Sequence, residues 1–364
     1  MGLSNANEAL MAASSSGAAQ PWFDPADDAV IDTRAFRIAV VIPCYKVKDH
    51  VLGVIERIGA EVERIYAVDD ACPDQSGRFI EQACTDPRVR VLYNPVNLGV
   101  GGAVIAGYRA ALADGLDCAV KIDGDGQMDP ALLPAFVRPI AAGSADYAKG
   151  NRFFHPEDTL DMPIGRLVGN MGLSFLSKFS SGYWSIFDPT NGYTAIGADV
   201  LEQLRLDKVD HRYFFESDLL FRLNLVGAVV VDVPMRAVYA DEVSNLRVGS
   251  SLPRFAWGHM KNIVKRVFYS YYLRGFSLGS LELLLGTLLV MFGTIFGLRH
   301  WFGPGSGALP ATPGTVMVAA LPVIVGVQLV LSFINFDVQT EPRHPINSML
   351  RALRHRSRRR ADDE

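Results

Sequence analysis

Cysteine is scarce in this chain of 364 residues. Cys44, Cys72, Cys84 and Cys118 form no Cys-x-x-Cys pair and no Cys/His spacing of a zinc site. That excludes a disulfide-stapled secreted scaffold and points to reduced thiols in a cytosolic domain. Two nucleotide signatures are missing as well. There is no Walker A sequence, and Gly99, Gly101 and Gly102 are followed by Val104, so Gly-x-Gly-x-x-Gly is not completed. The glycine turn also follows the third predicted strand rather than the first, which argues against a dinucleotide-binding Rossmann domain. The N-terminus lacks a basic-then-apolar signal peptide, and residues 1–35, rich in Ala, Ser and Asn, are expected to form a loose tail. The charge is uneven: acidic residues dominate the first two thirds, and arginines crowd the end. Arg343, Arg351, Arg354, Arg356, Arg358, Arg359 and Arg360 fall in residues 343–360, although the net charge is -4. Coming straight after an apolar segment, that cluster suits anionic lipid better than nucleic acid.

Long apolar runs are present twice. Residues 276–298 and 314–336 are each 23 residues with few polar side chains, among them Glu282 and Gln328; Pro322 predicts a kink in the second. At about 1.5 Å per residue, each reaches about 35 Å, enough to cross a bilayer. The loop 299–313 carries one Arg, while both outer flanks are basic. The positive-inside bias then places both termini and the large N-terminal domain on the cytoplasmic side of an inner-membrane hairpin. Residues 251–275 interleave Arg254, Lys261, Lys265 and Arg266 with Phe255, Trp257, Phe268, Tyr269, Tyr271 and Tyr272, a pattern of interfacial helices. Residues 337–364 form the basic cytoplasmic tail.

The stretch before the hairpin alternates strand and helix. IAVVIP (38–43), RIYAVDD (64–70), RVRVLYN (88–94) and CAVKI, ending at Ile122, read as strands with helical segments between them. An α/β domain with a mostly parallel sheet follows, and ligands of such sheets sit beyond the carboxyl ends of the strands. Asp69, Asp70, Asp123 and Asp125 all fall there. The IDGDGQMDP segment (122–130) is the most informative. Two carboxylates two residues apart repel unless a cation neutralises them, and Gly124 and Gly126 allow close ligand approach. Hard oxygen donors with Gln127 suit Mg²⁺ or Mn²⁺ carrying a phosphate group. An EF-hand is excluded, because position 6 is Met128 and position 12 is Pro134. Taken alone, the stretch is also compatible with an acidic surface turn.

VVIPCYK, VDDACPDQS, NLGVGGA and DGDGQ, in that order and spacing, resemble the GT-A fold of family 2 glycosyltransferases. The nearest likeness is to the dolichyl-phosphate mannose synthase-like, polyprenyl-phosphate sugar transferases, over about residues 36–250. The resemblance implies a nucleotide-diphosphate sugar donor (UDP- or GDP-), contacted by Pro43, Tyr45, Asp69, Asp70, Asn97, Gly102, Asp123, Asp188 and Asn191. It implies Asp123, Asp125 and Gln127 as holders of the metal diphosphate, with Asp125 the preferred direct ligand. KGNRF (149–153) and GRLVGN (165–170) resemble segments that bind the acceptor phosphate, which maps that role onto Arg152, Arg166 and, in place of a serine, Asn170. Guanidinium forks suit phosphate oxygens. FFESDLLFRL (214–223) aligns with a helix bearing an acidic residue near the acceptor, Glu216 or Asp218; residues two apart cannot share a helix face. One departure stands out: YADEVSNLRV (239–248) has Asn245 where the family carries a donor-clamping Lys, which shifts diphosphate neutralisation to the metal, Arg247 or another lysine.

The implied reaction is metal-dependent, inverting transfer of a sugar to a polyprenyl phosphate at the membrane. The alternative is a membrane-tethered enzyme acting on a sugar hydroxyl of a lipid-linked glycan, with Glu216 or Asp218 as general base. Self-association of the hairpin would add stability to either. A processive synthase is disfavoured by the missing Gln-x-x-Arg-Trp motif.

Overall fold

The computed structural model describes residues 36–154, 164–235, 248–302, 311–347 and 350. Seven strands form one sheet: β1 (Ile38–Cys44), β2 (Val62–Asp69), β3 (Val89–Tyr93), β4 (Cys118–Lys121), β5 (Tyr147–Asn151), β6 (Thr194–Gly197) and β7 (Val230–Pro234). Their spatial order is β3-β2-β1-β4-β6-β5-β7. β1 pairs in parallel with β2 and β4, and β5 with β7, while β6 runs antiparallel between β4 and β5. Six strands therefore end at one edge of the sheet, and the reversed β6 begins there.

β1 shows why the sheet lies in the middle. Its residues Ile38 to Ile42 are all buried, as expected for a strand covered on both faces. Ile38, Val40 and Ile42 point into one apolar layer, with Val51 and Ile55 of α1 (Lys48–Glu56) and Phe136 of α4 (Leu133–Ala141). Ala39 and Val41 point into the other, with Tyr108 of α3 (Val100–Ala113) and Leu219 of α7 (Phe215–Val226). Helices α2 (Ser76–Ala83) and α6 (Ala198–Gln203) complete the layers through Ile80 and Leu201, and α5 (Ile164–Ser181) packs on α7.

Beyond the sheet, α8 (Val248–Val267) continues into a π-helical turn, Phe268–Arg274. Two long helices follow, α9 (Leu278–Phe302) and α10 (Pro313–Gln339), with mean hydropathy 2.0 and 2.4. Each is long and apolar enough to cross a bilayer. They pack through small residues: a Cβ on Gly286 would stand 2.9 Å from Gly326 O, and one on Gly326 2.7 Å from Gly286 O. Only glycine permits that approach, the usual device for helix contact in lipid. After α10 the chain returns to the domain. Ile346 N and Asn347 N donate to the Asp146 carboxylate at 3.0 and 2.8 Å, beside Val229 N at 2.8 Å.

Candidate active site

The acidic residues noted in the sequence gather at the edge where six strands end. The loops after β1 and β2 also hold all the non-glycine residues with left-handed backbone among those described: Lys46 (φ 60°), Ala71 (φ 51°) and Gln75 (φ 56°). Strained turns of this kind concentrate at functional sites. Pro43 is half-buried near the end of β1 and Tyr45 is exposed just beyond it.

Asp69 and Asp70 build this edge from within. Asp69 accepts from Cys72 N (2.7 Å) and Gly77 N (2.6 Å), tying the turn after β2 to the start of α2. Asp70 accepts from Asn94 Nδ2 (2.7 Å), Leu98 N (3.0 Å) and Gly99 N (2.7 Å), tying that turn to the glycine loop. Asn97 is exposed on this loop. Gly102 N donates to His211 O at 3.0 Å, and a Cβ on Gly101 would meet Asp210 O at 2.6 Å. The glycines thus let α3 begin hard against the 210–215 segment.

Asp123 follows β4 and is part-exposed; Asp125 and Gln127 are also part-exposed, with Gln127 N donating to Asp125 Oδ1 at 3.0 Å. Two carboxylates and an amide oxygen on one short loop form a hard-oxygen donor set that fits Mg²⁺ or Mn²⁺. Among the described residues no cluster of three or more His, Cys, Asp or Glu side chains stands ready to enclose a metal. An ion held here would therefore share its coordination with substrate oxygens and water, as Mg²⁺ usually does.

Two lysines missed in the sequence organise the centre. Lys121, 1% exposed, ends β4 and places Nζ 2.8 Å from Asp123 Oδ1, 3.4 Å from Glu216 Oε1 and 3.0 Å from Gly192 O, to which it donates. Burial alone would lower its pKa, but the Asp123 and Glu216 carboxylates outweigh that and raise it. Lys149, fully buried on β5, donates to Asn191 O. Burial lowers its pKa to about 8, with Glu216 and Asp188 opposing. Two ammonium groups thus grip consecutive carbonyls of the loop entering β6. Gly192 makes this possible: a Cβ there would lie 2.5 Å from Lys121 Nζ and 2.7 Å from Asp123 Oδ2.

The same loop carries Asp188. Its carboxylate receives Arg152 in a two-point fork, Nε at 2.7 Å and Nη2 at 3.0 Å, and is 1% exposed. Arg152, mapped to the acceptor phosphate, and Asp188, mapped to the donor sugar, are thus partners across the site. Asn191 is buried and its Nδ2 reaches Asp188 Oδ2 at 3.5 Å. Asp232 on β7 accepts from Asn151 Nδ2 (2.9 Å) and Phe187 N (3.2 Å), and burial pushes its pKa up to about 6.

Glu216 and Asp218 diverge, as helical spacing requires. Glu216 faces Lys121, whereas Asp218 accepts from Asp210 N (3.0 Å), Arg222 Nε (2.8 Å) and Asn262 Nδ2 (3.0 Å). Asp218 joins α7 to α8 instead of lining the site. Arg166 and Asn170 lie on α5, in a stretch whose side chains are outside those described; Asn245 and Arg247 also lie outside the described residues.

The 184–192 loop is tied to the apolar hairpin at its other end. Trp184 Nε1 donates to Asp337 Oδ2 of α10 at 3.0 Å, and Trp184 N and Ser185 N donate to Glu341 Oε2 at 3.1 and 3.2 Å. Asp337 is in turn clamped by Arg266 of α8, with Nη1 at 2.6 Å and Nη2 at 2.9 Å, and by the Tyr271 hydroxyl.

Comparison with known proteins fits this geometry. The profile of "Glycosyl transferase family 2" matches residues 39–205. The undecaprenyl-phosphate mannosyltransferase of Micrococcus luteus is 32% identical over 206 residues, 56% of this chain and 84% of that protein. The chain belongs to glycosyl transferase family 2. Two further relatives of this glycosyltransferase differ in name. The polyprenol monophosphomannose synthase of Mycolicibacterium smegmatis is 31% identical over 232 residues, 61% of this chain and 87% of that one. The UDP-N-acetylglucosamine–dolichyl-phosphate N-acetylglucosaminyltransferase of Methanococcus voltae is 27% identical over 218 residues, 56% and 86%. The mixed sheet of the glycosyltransferase is the GT-A domain expected for this family, followed by two apolar helices.

Proposed function

We propose that this glycosyltransferase moves a sugar from a nucleotide-diphosphate sugar to a polyprenyl phosphate at the cytoplasmic face of the membrane. The observation that carries the reading is the loop of residues 184–192. One end is bonded to Asp337 and Glu341 at the end of an apolar helix, and the other lies against Asp123 at the acidic strand end. In this reading nine residues join the acidic strand end, as donor site, to the end of the apolar helix, as membrane surface. The names of the three relatives, all polyprenyl- or dolichyl-phosphate transferases, support the same acceptor class.

The chemistry of the acceptor is consistent with the side chains. A hydroxyl acceptor needs a general base, whereas a phosphate monoester, with a second pKa of about 6, is mostly a dianion at neutral pH. Asp218 is committed to three donors and Glu216 to Lys121. A nucleophile that brings its own charge suits such a site. The phosphate oxygen attacks the anomeric carbon as the bond to the leaving diphosphate breaks, inverting the configuration. Asp123, Asp125 and Gln127 would hold Mg²⁺ or Mn²⁺, which supplies charge neutralisation at the leaving diphosphate when bound. Arg152 and Arg166 would orient the acceptor phosphate, Arg152 by exchanging part of its fork on Asp188 for phosphate oxygens.

The test is incubation of the full chain with undecaprenyl phosphate and a panel of UDP- and GDP-sugars, with Mg²⁺ or Mn²⁺, detecting the glycolipid and the released nucleoside diphosphate. A glycosyl phospholipid whose formation is lost on chelation and in Asp125→Ala is the expected result. Transfer to a glycan hydroxyl alone, with a pH–rate profile that requires Glu216, would replace this reading by the general-base one.

A further inference from the structure

A cavity of about 450 Å³ opens where the apolar hairpin meets the catalytic domain, and the proposed transfer does not use it. Arg274, Arg343 and His344 line it together with Ser277, Thr340 and the paired Arg266, and among the described residues no carboxylate does. The nearby Asp337 is already spent on Arg266, and Glu341 on Trp184 and Ser185. Arg274 is exposed, and its Nη1 donates to Leu225 O at 2.8 Å, which fixes the guanidinium at the rim. Arg343 and His344 are exposed beside it.

Position identifies the ligand. Arg274 stands four residues before α9 and Arg343 four residues after α10, so both cations mark the same end of the hairpin. That end is the headgroup level of a bilayer entered by these helices. Phe336 of α10 forms the apolar wall, and Phe276, two residues before α9, and Leu278, its first residue, are exposed, 65% and 72%. A ligand here meets cations and hydroxyls at one end and an apolar helix face at the other. The cavity is separate from the transfer site. Leu225 is in the last turn of α7 and Glu216 in its first, about 13 Å apart at 1.5 Å per residue.

We propose that this cavity binds the phosphodiester headgroup of an anionic glycerophospholipid, one per chain, with its acyl chains against α9 and α10. The two guanidinium groups take the phosphate oxygens, the geometry they favour. The lipid would brace the junction through which Asp337 holds Trp184.

The test uses the full chain, delipidated in neutral detergent and placed in phosphatidylcholine nanodiscs containing increasing phosphatidylglycerol, with retained lipid read by native mass spectrometry. One phosphatidylglycerol per chain should be retained in preference to phosphatidylcholine. Arg274→Gln with Arg343→Gln should weaken it by at least about tenfold, since each cation near charged lipid contributes roughly fivefold. Arg274→Lys with Arg343→Lys should restore most of it, which separates charge from folding. Equal retention of phosphatidylcholine would overturn the proposal on the unaltered protein alone. So would unchanged retention in the double Gln variant, equal affinity for inorganic phosphate, or one-for-one displacement by undecaprenyl phosphate, which would make the cavity part of the acceptor site.

Discussion

Lys121 and Glu216 meet at 3.4 Å inside the domain, one at the end of the central strand β4 and the other in the first turn of α7. With Asp123 at 2.8 Å on the other side, the lysine is the counter-charge of two carboxylates and also holds Gly192 O. Removing it leaves the buried Glu216 carboxylate without its counter-charge and Asp123 without its nearest one. Lys121→Met should destabilise the full chain by about 3–5 kcal/mol, the usual cost of breaking a buried pair. Lys121→Met with Glu216→Gln should recover part of this, so the two changes are non-additive in chemical denaturation. Strict additivity would show that the pair is not a unit.

Gly192→Ala tests the site without touching a charge. The added methyl would overlap Lys121 Nζ and Asp123 Oδ2. Overpacking of this kind costs about 1–3 kcal/mol, so the variant should fold. Its turnover should nonetheless fall at least about tenfold, because Asp123 must move, and a displacement of this size at a reacting centre is costly. Wild-type turnover would show that Asp123 need not keep its position.

Lys149 predicts opposite pH trends for activity and stability. Its pKa falls from 10.5 to about 8 on burial. As pH rises from 8 towards 10.5, the folded protein loses this proton while the unfolded chain keeps it, so stability rises, by up to about 3 kcal/mol. Over the same range the ammonium grip on Asn191 O is lost, and turnover should decline. Lys149→Met should remove the alkaline gain in stability. Activity and stability falling together would point to ordinary alkaline unfolding.

The Arg266–Asp337 pair predicts how tightly the hairpin is joined. Both side chains are buried and bonded at two points. Asp337→Ala, which strands the guanidinium, should cost about 3–5 kcal/mol by thermal unfolding in detergent, and Asp337→Leu with Arg266→Met should recover most of it. A negligible effect of Asp337→Ala would show that water reaches Arg266.

Local patterns made much of this legible. The strands through CAVKI were visible from apolar runs, the two long helices from length and hydropathy, and the divergence of Glu216 and Asp218 from the helical repeat. The lysines were not visible. Lys121 sits inside an apolar strand pattern, and what justifies it comes from β6 and α7, far along the chain. Lys149 stands in the sequence only as the first letter of KGNRF; its partner, the Asn191 carbonyl, is a backbone atom that no side-chain pattern reveals. Asp337 stands one residue past the second apolar run with no local pattern to mark it, yet Arg266, Tyr271 and Trp184 converge on it.

That convergence bears on how the enzyme can be divided. A soluble version ending after residue 275 would keep the whole sheet yet lose the partners of Trp184, Ser185 and Arg266, and the segment at 346–347 that satisfies Asp146. The hairpin is thus a folding partner of the catalytic domain. A domain transplanted onto a foreign membrane helix would reach the bilayer with its central loop unsupported.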